Sequence, residues 1–143
     1  HPELEGNLGE FRAVSSDVQA IVSFYGASNL ATILAQSTPH GLSMRVPALQ
    51  ALLGGQPADQ PELTRLASPV NHVDAHDPPL LLLHGDQDPQ MPVNQSLELQ
   101  GRYEAAGQPV KFIAVHGAAH GGKLFYDPAR LDQVEAFLRE HLR

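Results

Sequence analysis

Three stretches of the chain are almost wholly apolar, and segments of a different rhythm flank each of them. Val18 to Tyr25 (VQAIVSFY) is rich in β-branched and aromatic residues and is stopped by Gly26, which predicts a buried strand. Leu80 to His84 shows no polar alternation, the pattern of a strand covered on both faces, as in a parallel sheet between helices. Val110 to Val115 (VKFIAV) predicts a third strand. Between and after these runs the period becomes helical. Asn29 to Gln36 predicts a short helix with Ser28 or Asn29 as N-cap. Pro39, Gly41 and Pro47 are expected to break the chain before a second helix over Pro47 to Leu53, stopped by Gly54-Gly55. Pro61 to Ala67 predicts a third helix, again opened by proline, and Pro69 to Pro79 reads as irregular. Val93 to Ala106 spaces Val93, Leu97, Gln100/Gly101 and Glu104 at helical intervals and ends at Gly107. Pro128 to Leu142 gathers Leu131, Val134, Phe137, Leu138 and Leu142 on one stripe, an amphipathic helix. His1 to Asp17, polar and turn-rich, is expected to be a surface loop.

Strand, helices, strand, helix, strand, helix is an α/β order. With no tight hairpins it implies parallel strands joined by crossovers. The 143 residues suffice for one compact unit, and residues 27–75, which interrupt the alternation, are expected to form a cap-like helical insertion. Composition then narrows the functions open to it. The net charge is −7 and the nine basic residues are scattered singly, so there is no basic stripe for nucleic acid or for an anionic membrane. The longest apolar run, Leu80 to Leu83, is far too short to cross a bilayer. Absence of cysteine removes disulfides, thiolate nucleophiles and Cys-based zinc sites, and no cofactor is expected.

In an open parallel sheet, ligands bind at the carboxyl ends of the strands. Two loops leaving such ends carry candidate chemistry. The first, His84-Gly85-Asp86-Gln87-Asp88-Pro89-Gln90-Met91-Pro92, holds two carboxylates: either can orient an imidazole, and both can equally shape the turn through Asx-type hydrogen bonds. The second, His116-Gly117-Ala118-Ala119-His120-Gly121-Gly122, places His120 among residues with little bulk, where a general base is accessible and a merely solvated histidine is the plainer reading. Together they say more: acid then base after two successive strands is the order in which a hydrolase triad closes after its nucleophile.

Two other classes compete. His72, Asp74 and His76 would share one face of an extended segment and suit a metal-dependent hydrolase, although eight histidines make chance clusters common. His116 and His120 lie four apart, but the glycines around them argue against a helix. The third class is a non-catalytic assembly module that only pairs with a partner.

Pro78 to Ser96 (PPLLLLHGDQDPQMPVNQS) resembles the α/β-hydrolase esterase/lipase pattern of apolar strand, His-Gly, Asp-x-x-x-Pro and polar helix start. Val115 to Gly121 (VHGAAHG) is similar to that family's Gly-rich loop bearing the catalytic histidine, and the Phe24-Tyr25-Gly26 strand end and closing helix also match. The resemblance covers essentially the whole chain and is nearest to the branch with carbohydrate-deacylating and feruloyl-type esterases, and to the related peptidase-like hydrolases. It implies the C-terminal half of an α/β-hydrolase fold, a serine carboxylic-ester hydrolase in which Asp88 is the triad acid and His120 the base. Asp86 is then a turn residue, His84 and Gly85 shape the strand end, and Asn29 stands where relatives often have Asp.

The nucleophile is missing from this picture. No Gly-x-Ser-x-Gly occurs; Gly26-Ala27-Ser28-Asn29-Leu30 is a near miss whose second glycine is Leu30, and Ser28 is expected to cap a helix instead. The resemblance places the nucleophile and oxyanion loop in an N-terminal half ahead of this chain, leaving these 143 residues inactive alone. Strand 18–25 would then present an apolar edge that pairs with that half or with a second copy of this chain. Met91 and Pro92 are expected to pack the loop rather than line an acyl pocket. Tyr25, at a strand end, is expected to sit in the core with its hydroxyl satisfied nearby rather than to face the substrate.

Overall fold

The computed structural model describes residue 4, residue 6, residues 9–11 and residues 13–142, so the expected opening loop lies partly outside the described residues. Three parallel strands form one sheet in the order β1 (Ile21–Phe24), β2 (Leu80–Gly85), β3 (Val110–Val115). The register pairs Ile21 with Leu80 and Leu80 with Val110, so the carboxyl ends of all three strands lie on one side. β2 is central and all six of its residues are buried. Strand alternation sends Leu81 and Leu83 to one face and Leu80 and Leu82 to the other. The first face packs with Val115, Phe125 and Phe137 of α5 (Pro128–His141); the second packs with Tyr103 and Leu99 of α4 (Asn94–Ala105). An unbroken leucine run is therefore required, because a polar residue anywhere in it would enter one core or the other. Each buried leucine contributes about 2 kcal/mol of hydrophobic transfer before its conformational entropy is subtracted.

Between β1 and β2 stand three α-helices, α1 (Ile33–Gln36), α2 (Pro39–Leu53) and α3 (Pro61–Leu66), and one 3-10 turn, Pro69–Asn71. α1 is shorter than its sequence pattern predicts, because the turn before it is built differently. Ser28 does not cap it, and the Asn29 side chain instead accepts from the Ala31 amide. α2 is longer than expected. Thr38 caps it by accepting from the Gly41 amide at 3.0 Å, and Pro39 sits in the first turn, where a missing N–H is harmless. The helix then runs through Pro47, which forfeits one internal hydrogen bond, at a usual cost of about 3 kcal/mol. Tertiary anchors hold both ends. Leu49 and Leu53 pack with Leu30, Ile33 and Met91, while Thr38 Oγ1 donates to the Pro89 carbonyl at 2.6 Å. Gly41 is obligatory there, since a Cβ would stand 2.9 Å from the Gln90 carbonyl oxygen. The first turn of α2 thus braces the loop that carries Asp88.

The inward face of α4 also differs from the predicted stripe. Gln95, Ser96 and Tyr103 are buried and Leu99 is partly so, while Leu97 faces solvent. Two polar residues lie inside because both find hydrogen-bond partners there.

Candidate active site

β2 runs into its loop through Gly85, and β3 ends at Val115 beside it. The two loops cross in direct backbone contact. A Cβ on Gly85 would lie 2.2 Å from the Ala118 carbonyl oxygen and 2.5 Å from that of Ala119, so only glycine allows the crossing. The Gln87 amide donates to the Ala118 carbonyl at 3.0 Å and the Asp86 amide to that of Val115 at 3.3 Å.

This crossing brings Asp88 and His120 together. His120 Nδ1 donates to Asp88 Oδ2 at 2.8 Å. The carboxylate is 1% exposed and the imidazole 24% exposed. The other oxygen, Asp88 Oδ1, accepts from the amides of Gln90 at 2.8 Å and Met91 at 2.9 Å. The buried carboxylate is thus held by two amides and an imidazole. It also fixes the histidine tautomer: the proton sits on Nδ1, and Nε2 carries the lone pair that can take a proton from a nucleophile. The Asx-type turn and the carboxylate–imidazole pair, alternatives in the sequence, are both made by Asp88, one with each oxygen.

His84, fully buried beneath this pair, was legible only as a strand-end residue. Its Nε2 donates to the Met91 carbonyl at 3.0 Å and lies 3.4 Å from Asp88 Oδ2, while Nδ1 accepts from Ser96 Oγ at 2.7 Å. Burial pushes its pKa below the ordinary histidine value, partly offset by the Met91 carbonyl and Asp88. A neutral His84 thus ties the acid loop to α4. Asp86 does more than turn the chain: Oδ2 accepts from His116 Nδ1 at 2.9 Å and Oδ1 from the Gly117 amide at 2.8 Å. The His116 ring and the Gly117 amide hold its carboxyl below the usual range. This second, exposed acid–imidazole pair clips the two loops together.

Ser28 is 1% exposed, and its hydroxyl donates to the Gln95 carbonyl at 2.5 Å. Its amide and that of Asn29 both donate to Gln95 Oε1, at 3.0 and 2.8 Å. Asn29 Nδ2 donates to Glu98 Oε2 at 2.7 Å. Ser28 is thus neither a helix cap nor a free hydroxyl; it belongs to the joint between the β1 loop and α4. Met91 is buried among Leu30, Ile33, Leu49 and Leu53, so it packs the loop. His72 Nε2 lies 2.8 Å from the Leu66 carbonyl oxygen, and Asp74 accepts from the His76 amide. Among the described residues no group of three or more His, Asp and Glu side chains is disposed to hold a metal ion.

The residues that sequence reasoning missed are Gln95 and Ser96. The signal was available: Gln95, Leu99 and Tyr103 recur every four residues and carry more bulk than the stripe through Leu97.

A family model described as BD-FAE matches residues 1–103, a span that includes the Asp88 loop and stops before the His120 loop. Esterase LipC of Mycobacterium tuberculosis (strain ATCC 25618 / H37Rv) is 31% identical over 131 residues, 90% of this chain and 31% of the relative. Esterase LipQ of the same organism is 30% identical over 111 residues, 77% of this chain and 25% of the relative. A solved structure of a truncated form of a carbohydrate esterase from gut microbiota superposes with a TM-score of 0.84 at 32% identity, covering 96% of this chain and 47% of that one. The chain therefore spans a quarter to a third of these curated relatives and under half of the solved structure.

Proposed function

From a chain that belongs to the BD-FAE family of α/β-hydrolase esterases, we propose that Asp88 and His120 are the acid and base of a serine carboxylic-ester hydrolase whose nucleophile lies outside these 143 residues. The observation that carries this reading is the 2.8 Å hydrogen bond from His120 Nδ1 to a buried Asp88 already saturated by two amides. In the proposed cycle His120 Nε2 takes the serine proton as the hydroxyl attacks the ester carbonyl. Asp88 stabilises the imidazolium, and the same proton passes to the departing alkoxide. Water then attacks the acyl-enzyme with His120 again as base, releasing the acid and restoring the serine.

Two features support a nucleophile elsewhere. Ser28 is buried with its hydroxyl committed to Gln95, and no described serine hydrogen-bonds His120. Among the described residues, moreover, β1 pairs only with β2, and an apolar groove lined by Ile21, Leu80, Leu99 and Tyr103 runs beside it. That groove contains neither Asp88 nor His120. We assign the open edge and groove to the nucleophile-bearing half, or failing that to a second copy of this chain; β1 amides no better protected from exchange in the longer protein than in this chain would contradict the first, and a stable monomer of this chain in light scattering the second.

The test is a fluorophosphonate probe, with adducts located by peptide mass spectrometry, on this chain and on a longer protein that includes the preceding residues. The reading expects no adduct on this chain and one serine adduct upstream, abolished by His120→Ala. Labelling of Ser28 would sink it.

A further inference from the structure

Among the described residues, Tyr25 is the one non-glycine with a left-handed backbone, at φ +43°. For a bulky side chain that conformation is disfavoured, and it persists only where surrounding contacts over-determine it. The strand ladder is intact up to this point, since the Tyr25 amide donates to the Leu83 carbonyl at 2.8 Å. In a continuing strand the ring would follow Ile21 and Ser23 toward the α4 face. It lies instead with Val22 and Phe24 in the cluster on the α5 face. The backbone twist has moved one aromatic ring across the sheet.

The ring has moved onto His120. The two ring centroids are 4.6 Å apart at an interplanar angle of 57°. Phe125 meets the tyrosine edge-on at 4.9 Å, and Gly121 lies so close that a Cβ there would stand 3.3 Å from the tyrosine oxygen. The hydroxyl is 3.5 Å from that of Tyr126. The imidazole is therefore held at Nδ1 by Asp88 and along its side by Tyr25, and Phe125 and Gly121 prevent the tyrosine from yielding.

We propose that Tyr25 is a positioning residue for His120: its left-handed backbone seats the ring against the imidazole and holds it in the plane where Nδ1 meets Asp88 and Nε2 points outward. One hydrogen bond leaves an imidazole free to rock about its Cβ–Cγ bond, and packing against one side removes that freedom. Only the catalytic consequence rests on the proposed function; the positioning stands on this chain alone.

The experiment records imidazole ¹⁵N–¹H spectra of this chain carrying Tyr25→Phe, Tyr25→Leu or Tyr25→Gly. Tyr25→Phe keeps the ring and should keep the His120 Nδ1–H tautomer and its downfield proton. Tyr25→Leu and Tyr25→Gly should each lose about half or more of that proton's intensity to exchange, because the tautomer follows the hydrogen bond that the other packing protects. Tyr25→Gly relieves the left-handed strain, which offsets part of the lost ring packing, and its spectra are read well below its own melting transition, which separates positioning from general unfolding. An unchanged His120 signal in folded Tyr25→Gly overturns the proposal; so does an equal loss in Tyr25→Phe, which would assign the effect to the hydroxyl. In the longer protein, Tyr25→Gly should lower kcat about tenfold or more with KM nearly unchanged. If His120→Ala leaves esterase activity intact, the functional reading fails while the spectroscopic result stands.

Discussion

Adding a single methyl group at Gly85 tests whether the loop crossing makes the site. In Gly85→Ala the new Cβ would stand 2.2 Å from the Ala118 carbonyl oxygen and 2.5 Å from that of Ala119, against 3.4 Å for ordinary contact. Both obstacles are backbone, so no rotamer change relieves them; the His120 loop must withdraw by roughly 1 Å. The Asp88–His120 hydrogen bond, now 2.8 Å, and the Gln87–Ala118 bond, now 3.0 Å, both span the crossing and would stretch beyond bonding distance. Overpacking of this kind costs about 1–3 kcal/mol, and the loss of one or two bonds near a buried carboxylate adds about 1 kcal/mol each. At about 3 °C per kcal/mol for a unit of this size, the melting temperature should fall by roughly 6–15 °C. Calorimetry measures this, and the His120 Nδ1 proton signal reports the pair directly. In the longer protein a displacement of this size should lower kcat on the order of 100-fold. A Gly85→Ala chain that melts within 1 °C of the parent and keeps the Nδ1 proton would refute the crossing as the source of the pair.

Other outcomes follow from the same contacts. Gln95→Ala leaves the Ser28 and Asn29 amides without their shared acceptor and should destabilise the chain by about 2–3 kcal/mol in urea melts, whereas Leu97→Ala, at an exposed position on the same helix, should cost under about 1 kcal/mol. Phe137→Ala removes the α5 side chain that sits deepest against Leu81 and Leu83, and should cost about 3–5 kcal/mol by the same measurement. His84 is held neutral by burial, so its folded pKa lies below its unfolded value of about 6.5. As pH falls below about 6.5 the unfolded chain gains a proton that the folded chain refuses, and stability should drop down to the folded pKa. Folding free energies measured from pH 7.5 to 5 should show a shallower slope in His84→Gln; an identical slope would place the titration elsewhere.

The α/β order, the central buried strand and the loops that leave the ends of β2 and β3 were determined by sequence, because strand runs, helical periods and glycine stops are local signals. The unbroken Leu80–Leu83 run could belong only to a strand with cores on both sides. The loops bearing Asp88 and His120 were identifiable because residues of that kind follow successive strands in hydrolase order. What the sequence could not decide are relations between distant segments. Pro47 reads as a helix breaker until Thr38 and Gly41 are seen anchoring α2 on the Asp88 loop, and Ser28 reads as a cap until Gln95, sixty-seven residues later, takes its hydroxyl and amide. Asp86 reads as a turn residue until His116 closes on it. Tyr25 is the sharpest case: alternation assigns its ring to the α4 face, and only a left-handed backbone, tolerated because Phe125, Gly121 and His120 surround the ring, moves it to the other. Local propensities set which elements form. Contacts between loops set which of their polar groups meet, because a buried donor or acceptor must find its partner wherever the fold supplies one.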